Sequence, residues 1–284
     1  MFKKIFFAAA LLLASELGAK PVVIASIAPV EYLAKAVGGD KIEVQSLAKG
    51  DVHSYEPKPN DMKAVAKARI FIAAGLEFEE AWIPRFKASA KNLVVVKSDA
   101  KIAKLKEERG EQAEHDEKHE AHADPHVWLN PMLAITMARN ISDALIDIDK
   151  ANKDFYLENF QKLMNDLLAF DESAKNELAG LKNRKFVVYH PAWGYFAAHY
   201  DLEQISIERS GKEPKIDEMA STLKMIKDEN IKVIFADPNR SQKSAQILAS
   251  QTGAKVELLD PLGYNLLENL KIAVGAIKDA NSPK

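Results

Sequence analysis

The sequence predicts an α/β protein made of two lobes, each built from βα units around a parallel sheet, with one long helix joining them. Two observations support this fold class. Short runs of apolar, mostly β-branched residues alternate with helical patterns, as in parallel sheets with right-handed crossovers. These runs fall into two clusters, and an uninterrupted helical pattern separates them. The runs are continuous instead of alternating, which is typical of strands covered on both faces.

Each cluster contains four predicted strands, and the helical patterns lie between them. The predicted strands are at 22–27, 42–48, 70–74, 93–96, 186–189, 204–207, 232–236 and 255–259. The predicted helices between them are at 29–38, 59–68, 78–90, 191–200, 214–229, 240–252 and 263–279. Pro29, Pro131 and Pro214 stand where proline is tolerated in the first turn of a helix.

A bridging helix is predicted at 151–182. From Tyr156 to Leu181 apolar residues recur every three or four positions, which gives one helical stripe, and Gly180 marks its end. About 26 helical residues would extend roughly 39 Å, enough to run along both lobes. An ordinary amphipathic surface helix is the alternative. The predicted organisation is a signal peptide at 1–19, an N-terminal lobe at 20–150, the bridging helix at 151–182 and a C-terminal lobe at 183–284.

The first nineteen residues have the pattern of a secretory signal peptide. Lys3 and Lys4 precede an apolar run, Ile5 to Ala14, that is too short to span a bilayer, and the small residues Gly18 and Ala19 follow. An uncleaved anchor or a buried N-terminal helix is the alternative. The chain has no cysteine, and therefore no lipidated N-terminal cysteine and no disulfide. We therefore expect export to a bacterial periplasm.

Composition and missing motifs exclude several functional classes. Lys and Arg total 39 against 41 Asp and Glu, a net charge of −2, so nucleic-acid binding is not expected. The sequence has no H-E-x-x-H metalloprotease motif, no P-loop and no G-x-S-x-G nucleophile elbow.

Histidines and one aspartate follow the predicted strands at positions typical of ligand sites. His190 and Asp260 come directly after strands, His53 lies just beyond a strand, and His126 lies in a proline-rich loop before a helix. Open α/β sheets bind ligands at the carboxyl ends of their strands. Imidazole nitrogens with one carboxylate suit a borderline divalent cation, with Zn(II) first. Taken singly, each of these side chains could equally be an ordinary core or surface residue.

The segment 104–123 is rich in charged residues and histidines and is predicted to form a loop. His115, His119 and His122 are spaced four and three residues apart, so in a transient helix they would share one face. They are predicted to form an auxiliary, weak cation-collecting loop, and a solvated polar loop is the alternative. His199 is interpreted as a helix residue that is not a ligand.

The ordered set of motifs resembles the zinc- and manganese-specific solute-binding proteins of ABC transporters, the ZnuA-like group. The motifs are SIAPVEYLAKAVGGD (26–40), GDVHSYEPKPND (50–61), DPHVWLNP (124–131), VYHPAWGYFAAHYDL (188–202), GKEPKIDEM (211–219) and LDPLG (259–263). The resemblance implies a metal ion held between two lobes by His53, His126, His190 and Asp260. Water or another carboxylate is the alternative to Asp260, and Asp237 would at most support the ligands.

The resemblance also implies a function. It predicts a monomeric periplasmic receptor without enzymatic activity that delivers Zn(II), with Mn(II) as the second choice, to the membrane permease of an ABC transporter. A histidine at position 190, where manganese-binding members carry a carboxylate, favours zinc. One alternative is a zinc hydrolase with an open three-histidine site and Glu56 as general base. Another is a metal-binding adhesin or a zinc buffer that works without a transporter.

Overall fold

The structure, a computed structural model, describes residues 20–106, 123–208 and 214–281. The predicted signal peptide and His115, His119 and His122 lie outside the described residues. The strands are β1 (Val22–Ala25), β2 (Glu43–Ser46), β3 (Ile70–Ala73), β4 (Val94–Lys97), β5 (Lys185–Val188), β6 (Glu203–Ser206), β7 (Val233–Ala236) and β8 (Lys255–Leu258). The α-helices are α1 (Ala28–Gly38), α2 (Pro59–Val65), α3 (Glu77–Ser89), α4 (Pro131–Ile148), α5 (Lys153–Leu178), α6 (Gly194–His199), α7 (Ile216–Asp228), α8 (Lys243–Thr252) and α9 (Leu266–Asn281).

The strands form two parallel four-stranded sheets with the same topology. The first sheet has the order β2-β1-β3-β4 and the second has the order β6-β5-β7-β8. In the first sheet Val23 pairs with Val44 on one side and with Ile70 on the other. The two-lobe α/β prediction is therefore confirmed, and each strand lies within one or two residues of its predicted position.

Burial differs between central and edge strands. All four residues of β3 and of β7 are buried, as the continuous apolar runs predict. The edge strands β2 and β8 expose residues, and Leu258 of β8 is 55% exposed. The expectation of burial on both faces therefore holds for the central strands only, because an edge strand has a neighbour on one side and is incompletely covered by helices.

Helix α5 is the predicted bridge between the lobes. It packs against α1 and α4 of the first lobe and against α9 of the second. Its buried residues repeat the predicted stripe and add Asp171: they are Tyr156, Phe160, Leu163, Leu167, Phe170, Asp171, Ala174 and Leu178. One hydrophobic core contains residues from α5 and from both sheets. None of the described helices is long and apolar enough to cross a membrane.

The buried stripe on α5 leads to a prediction about stability, and the residue next to the stripe serves as its control. Leu167 is fully buried, whereas Leu168 is 40% exposed. Leu167→Ala should lower the free energy of unfolding by about 2–5 kcal/mol, since it removes buried methyl groups and leaves a cavity. Leu168→Ala should change it by about 0.5 kcal/mol or less. Urea unfolding of both variants measures the difference, and equal losses would contradict the assignment of the buried face.

Candidate metal centre

Three histidines from distant parts of the chain meet between the lobes. His53 lies in the loop after β2, and His126 precedes the short helical turn Val127–Leu129 that leads into α4. His190 lies two residues after β5, in the second lobe. Each of the three offers a ring nitrogen, and these atoms all lie within 4.8 Å of one another. The carboxyl ends of the two sheets therefore face one common point, as the strand-end rule predicts.

Two carboxylates fix the proton positions of two of these rings. Nδ1 of His126 lies 2.7 Å from Oδ1 of Asp124, and Nδ1 of His190 lies 3.0 Å from Oε2 of Glu208. A carboxylate only accepts hydrogen bonds, so Nδ1 carries the proton in both neutral rings. Both Nε2 atoms then present lone pairs to the same point. Metal-binding histidines are commonly oriented by such outer partners.

The Nε2 atoms of His126 and His190 lie 3.4 Å apart, close enough to contact each other. With the proton on Nδ1 in each ring, no hydrogen bond joins these two atoms, and their lone pairs repel. A cation between them would remove this repulsion, because it attracts the lone pair of each nitrogen. Nitrogen ligands 2.0–2.1 Å from a tetrahedral Zn(II) lie about 3.3–3.4 Å from each other. The observed separation therefore fits two nitrogens that share one zinc ion.

His53 completes the group from the other side. Its ring centroid lies 5.0 Å from that of His190 and 5.4 Å from that of His126. Its Nε2 atom is buried and has no hydrogen-bond partner among the described residues. An unpaired buried acceptor costs free energy that a bound cation would recover. The three rings line a cavity of about 10 Å³, which leaves room for one small ion.

Asp260 lies at the end of β8, where the sequence places it, but outside the group of ligand atoms that lie within 4.8 Å of one another. Its Oδ1 accepts hydrogen bonds from Nδ2 of Asn239 at 2.9 Å and from the backbone N–H of Leu262 at 2.8 Å. Asp237, which follows β7 directly, lines the small cavity together with the histidines. Coordination by Asp260 stays a prediction.

Sequence reasoning missed the residues that support the ligands. They are Asp51, Asp124, Glu208 and Arg240. Asp124 stands two residues before His126, and its Oδ1 also accepts the backbone N–H of His126 at 2.9 Å, a local turn that the spacing alone indicates. Glu208 lies two residues after β6, so the strand-end rule applied to β6 would have found it.

Burial and neighbouring charges keep two of the rings neutral. Burial, together with charge repulsion from His126 and Arg240, lowers the pKa of His53 to about 4. Burial, with repulsion from His126 and Arg240, holds the pKa of His190 well below 6.5. The pKa of the Asp237 carboxyl is raised, mainly by burial. His53 and His190 are therefore ready to bind a metal at neutral pH without first losing a proton.

Most of the chain matches one protein family. The family model described as "ZnuA: Zinc-uptake complex component A periplasmic" matches residues 23–280. The chain belongs to this family. The ZnuA-like resemblance predicted from the sequence motifs is thus confirmed.

Members of the ZnuA family resemble this chain over most of its length. The high-affinity zinc uptake system protein ZnuA of Bacillus subtilis (strain 168) is 30% identical over 284 residues, which cover 93% of this chain and 88% of that protein. A crystal structure of ZnuA has a TM-score of 0.87 and 34% identity, and covers 93% of this chain and 100% of that one. A ZnuA deletion mutant with zinc bound has a TM-score of 0.86 and 34% identity, and covers 94% and 100%.

His199 and Glu56, two further candidate residues in the sequence, lie away from the three rings of this ZnuA-family chain. Nε2 of His199 lies 2.6 Å from Oδ1 of Asp171 on the bridging helix, so this ring joins α6 to α5. Glu56 is exposed and does not line the small cavity. The hydrolase alternative therefore loses its candidate general base.

Proposed function

We propose that this chain is an extracytoplasmic receptor that binds Zn(II) between its two lobes and delivers it to the permease of an ABC transporter. The observation that carries the proposal is the meeting of three imidazole rings, two of which point unprotonated Nε2 atoms at each other across 3.4 Å. A cation at its centre would remove the repulsion between the two lone pairs. Membership of a family described as a periplasmic zinc-uptake component supports the same role.

The ligand chemistry favours zinc over manganese. Three converging nitrogen donors, two of them at tetrahedral spacing, suit Zn(II), whereas Mn(II) prefers more oxygen ligands in octahedral geometry. Asp260 remains the predicted protein ligand for the fourth position, and a water molecule is the alternative. A crystal structure related to this chain at 20% identity contains Mn(II), but at that identity the likeness supports the fold alone. Manganese is therefore proposed as a weaker ligand.

The proposed role as a zinc receptor implies a membrane partner. A receptor that carries an ion needs a membrane permease to receive it, and we propose that a monomer of this chain docks on one. We also propose that it catalyses no reaction, because the family to which it belongs is described as a zinc-uptake component. The signal peptide at 1–19 and the cation-collecting role of His115, His119 and His122 stay predictions.

Metal titration of the full chain tests the proposed function. After purification without chelator, the protein should bind one zinc ion tightly per chain and manganese much more weakly. Lack of tight zinc binding would contradict the site. A deletion strain should grow poorly when zinc is scarce, and normal zinc uptake in that strain would instead support the adhesin or zinc-buffer alternative.

A further inference from the structure

Arg240 joins the two lobes beside the metal centre. Its Nη1 atom lies 2.8 Å and 3.0 Å from the two carboxylate oxygens of Glu208, in the same lobe. Its Nη2 atom lies 3.0 Å from Oδ1 of Asp51, in the first lobe. The Arg240 side chain is only 14% exposed, so these are not freely solvated surface pairs.

Both partners of Arg240 hold a zinc ligand. Glu208 orients His190 through its hydrogen bond to Nδ1. Asp51 holds the loop that carries His53: its Oδ1 accepts the backbone N–H of His53 at 3.2 Å, and its Oδ2 accepts the hydroxyl of Ser54 at 3.0 Å. One guanidinium group therefore connects a ligand from each lobe through a carboxylate on each side.

The two ends of this network differ in burial. The Glu208 side chain is 3% exposed, whereas that of Asp51 is 39% exposed. Charge-assisted pairs that are shielded from water hold more firmly than exposed ones. The contact between Arg240 and Asp51 is therefore the weaker end, and the one that can open.

The Asp51 end of the network also carries His53, the most exposed of the three histidines. His126 and His190 are 4% and 6% exposed, while His53 is only partly buried and its neighbours Asp51 and Ser54 are exposed. A metal ion held from two lobes can leave only after a ligand from one lobe moves away. The loop of His53 is the most exposed of the three segments that carry the histidines, although Val52 within it is buried.

We propose that Arg240 is a positioning residue that holds the His53 loop of the first lobe against the second lobe and thereby sets the rate of metal release. The inference rests on the proposed zinc site. Separation of Asp51 from Arg240 frees the His53 loop, and the ion then departs from the two histidines that remain. By microscopic reversibility the ion enters and leaves through the same open loop. We expect the effect mainly in the dissociation rate, because changes within one binding site alter the dissociation rate more than the association rate.

Asp51→Asn is the mildest test. Its amide oxygen can still accept the N–H of His53, but the charge that attracts Arg240 is gone. Chelator competition in stopped flow on the zinc-loaded full chain should show a dissociation rate about tenfold higher, with an association rate within about threefold of wild type. Arg240→Gln should raise the dissociation rate by at least the same factor as Asp51→Asn. Arg240→Lys keeps the positive charge, so its dissociation rate should lie between those of the wild type and Arg240→Gln.

The double variant distinguishes a shared contact from two separate effects. Asp51→Asn in the Arg240→Gln background should add little, since the contact is already lost. Lys278→Gln is the matched control, because it breaks an ion pair between α9 and Glu177 of α5, away from the metal centre. It should leave the dissociation rate unchanged.

The outcomes separate this inference from the proposed function. Absence of tight zinc binding by the wild-type protein would overturn the function. Normal zinc binding with an unchanged dissociation rate in Asp51→Asn would overturn only the role of Arg240, and so would fully additive effects in the double variant. If the Arg240 variants fail to fold, the dissociation rate of Asp51→Asn decides.

Discussion

Replacing His126 by alanine should weaken zinc binding by about a hundredfold to a thousandfold. The structural reason is that His126 is 4% exposed, is oriented by Asp124 and contributes one of three converging nitrogens. A zinc site of four ligands contributes about 10–16 kcal/mol in total, so the loss of one ligand accounts for roughly 2.5–4 kcal/mol. Competition with a chelator of known affinity measures the change.

His199→Ala is the matched control for His126→Ala. It also removes an imidazole, but from a ring that pairs with Asp171 on the bridging helix. Its zinc affinity should equal that of the wild type. If His126→Ala bound zinc as tightly as the wild type, or if both variants lost affinity equally, the proposed three-histidine site would be wrong. The predicted weak sites in the segment 104–123 do not interfere, since the competing chelator reports only the tight event.

Acidification to pH 5 should reduce zinc affinity far less than it would at a site of three histidines with ordinary pKa values. A histidine with a pKa of about 6.5 weakens metal binding about 30-fold at pH 5, and three of them would weaken it roughly 30,000-fold. Here burial lowers the pKa of His53 to about 4 and holds that of His190 well below 6.5. At pH 5 neither His53 nor His190 then has to lose a proton, so the loss of zinc affinity from pH 7.5 to pH 5 should stay far below that of a site with three ordinary histidines.

The same pKa values give the metal-free protein a definite pH dependence. The pKa of His53 is lower in the folded chain than the usual unfolded value of about 6.5. Its contribution to stability is therefore complete above pH 6.5 and is lost as the pH falls toward 4. Circular dichroism at pH 5 checks that the protein is still folded during titration. A loss of zinc affinity of several thousandfold in a folded protein would contradict the lowered pKa values.

The local pattern of the sequence was sufficient for the strands and for the buried face of α5, but α4 (Pro131–Ile148) was not among the predicted helices. Spacings of three and four residues are a property of the helix itself, so the stripe from Tyr156 to Leu178 was predictable without the rest of the chain. The positions of His53 and His190 near strand ends were also predictable from the strands, because parallel strands present their carboxyl ends at one edge of a sheet.

Only the tertiary structure decided how these elements meet. The strand order and the 3.4 Å approach of two Nε2 atoms depend on residues far apart in the chain. The contact of Arg240 with Asp51 joins residues 189 positions apart, and no local pattern indicates it. Sequence periodicity reports which face of an element is buried, whereas distances between side chains follow from the packing of whole elements against one another.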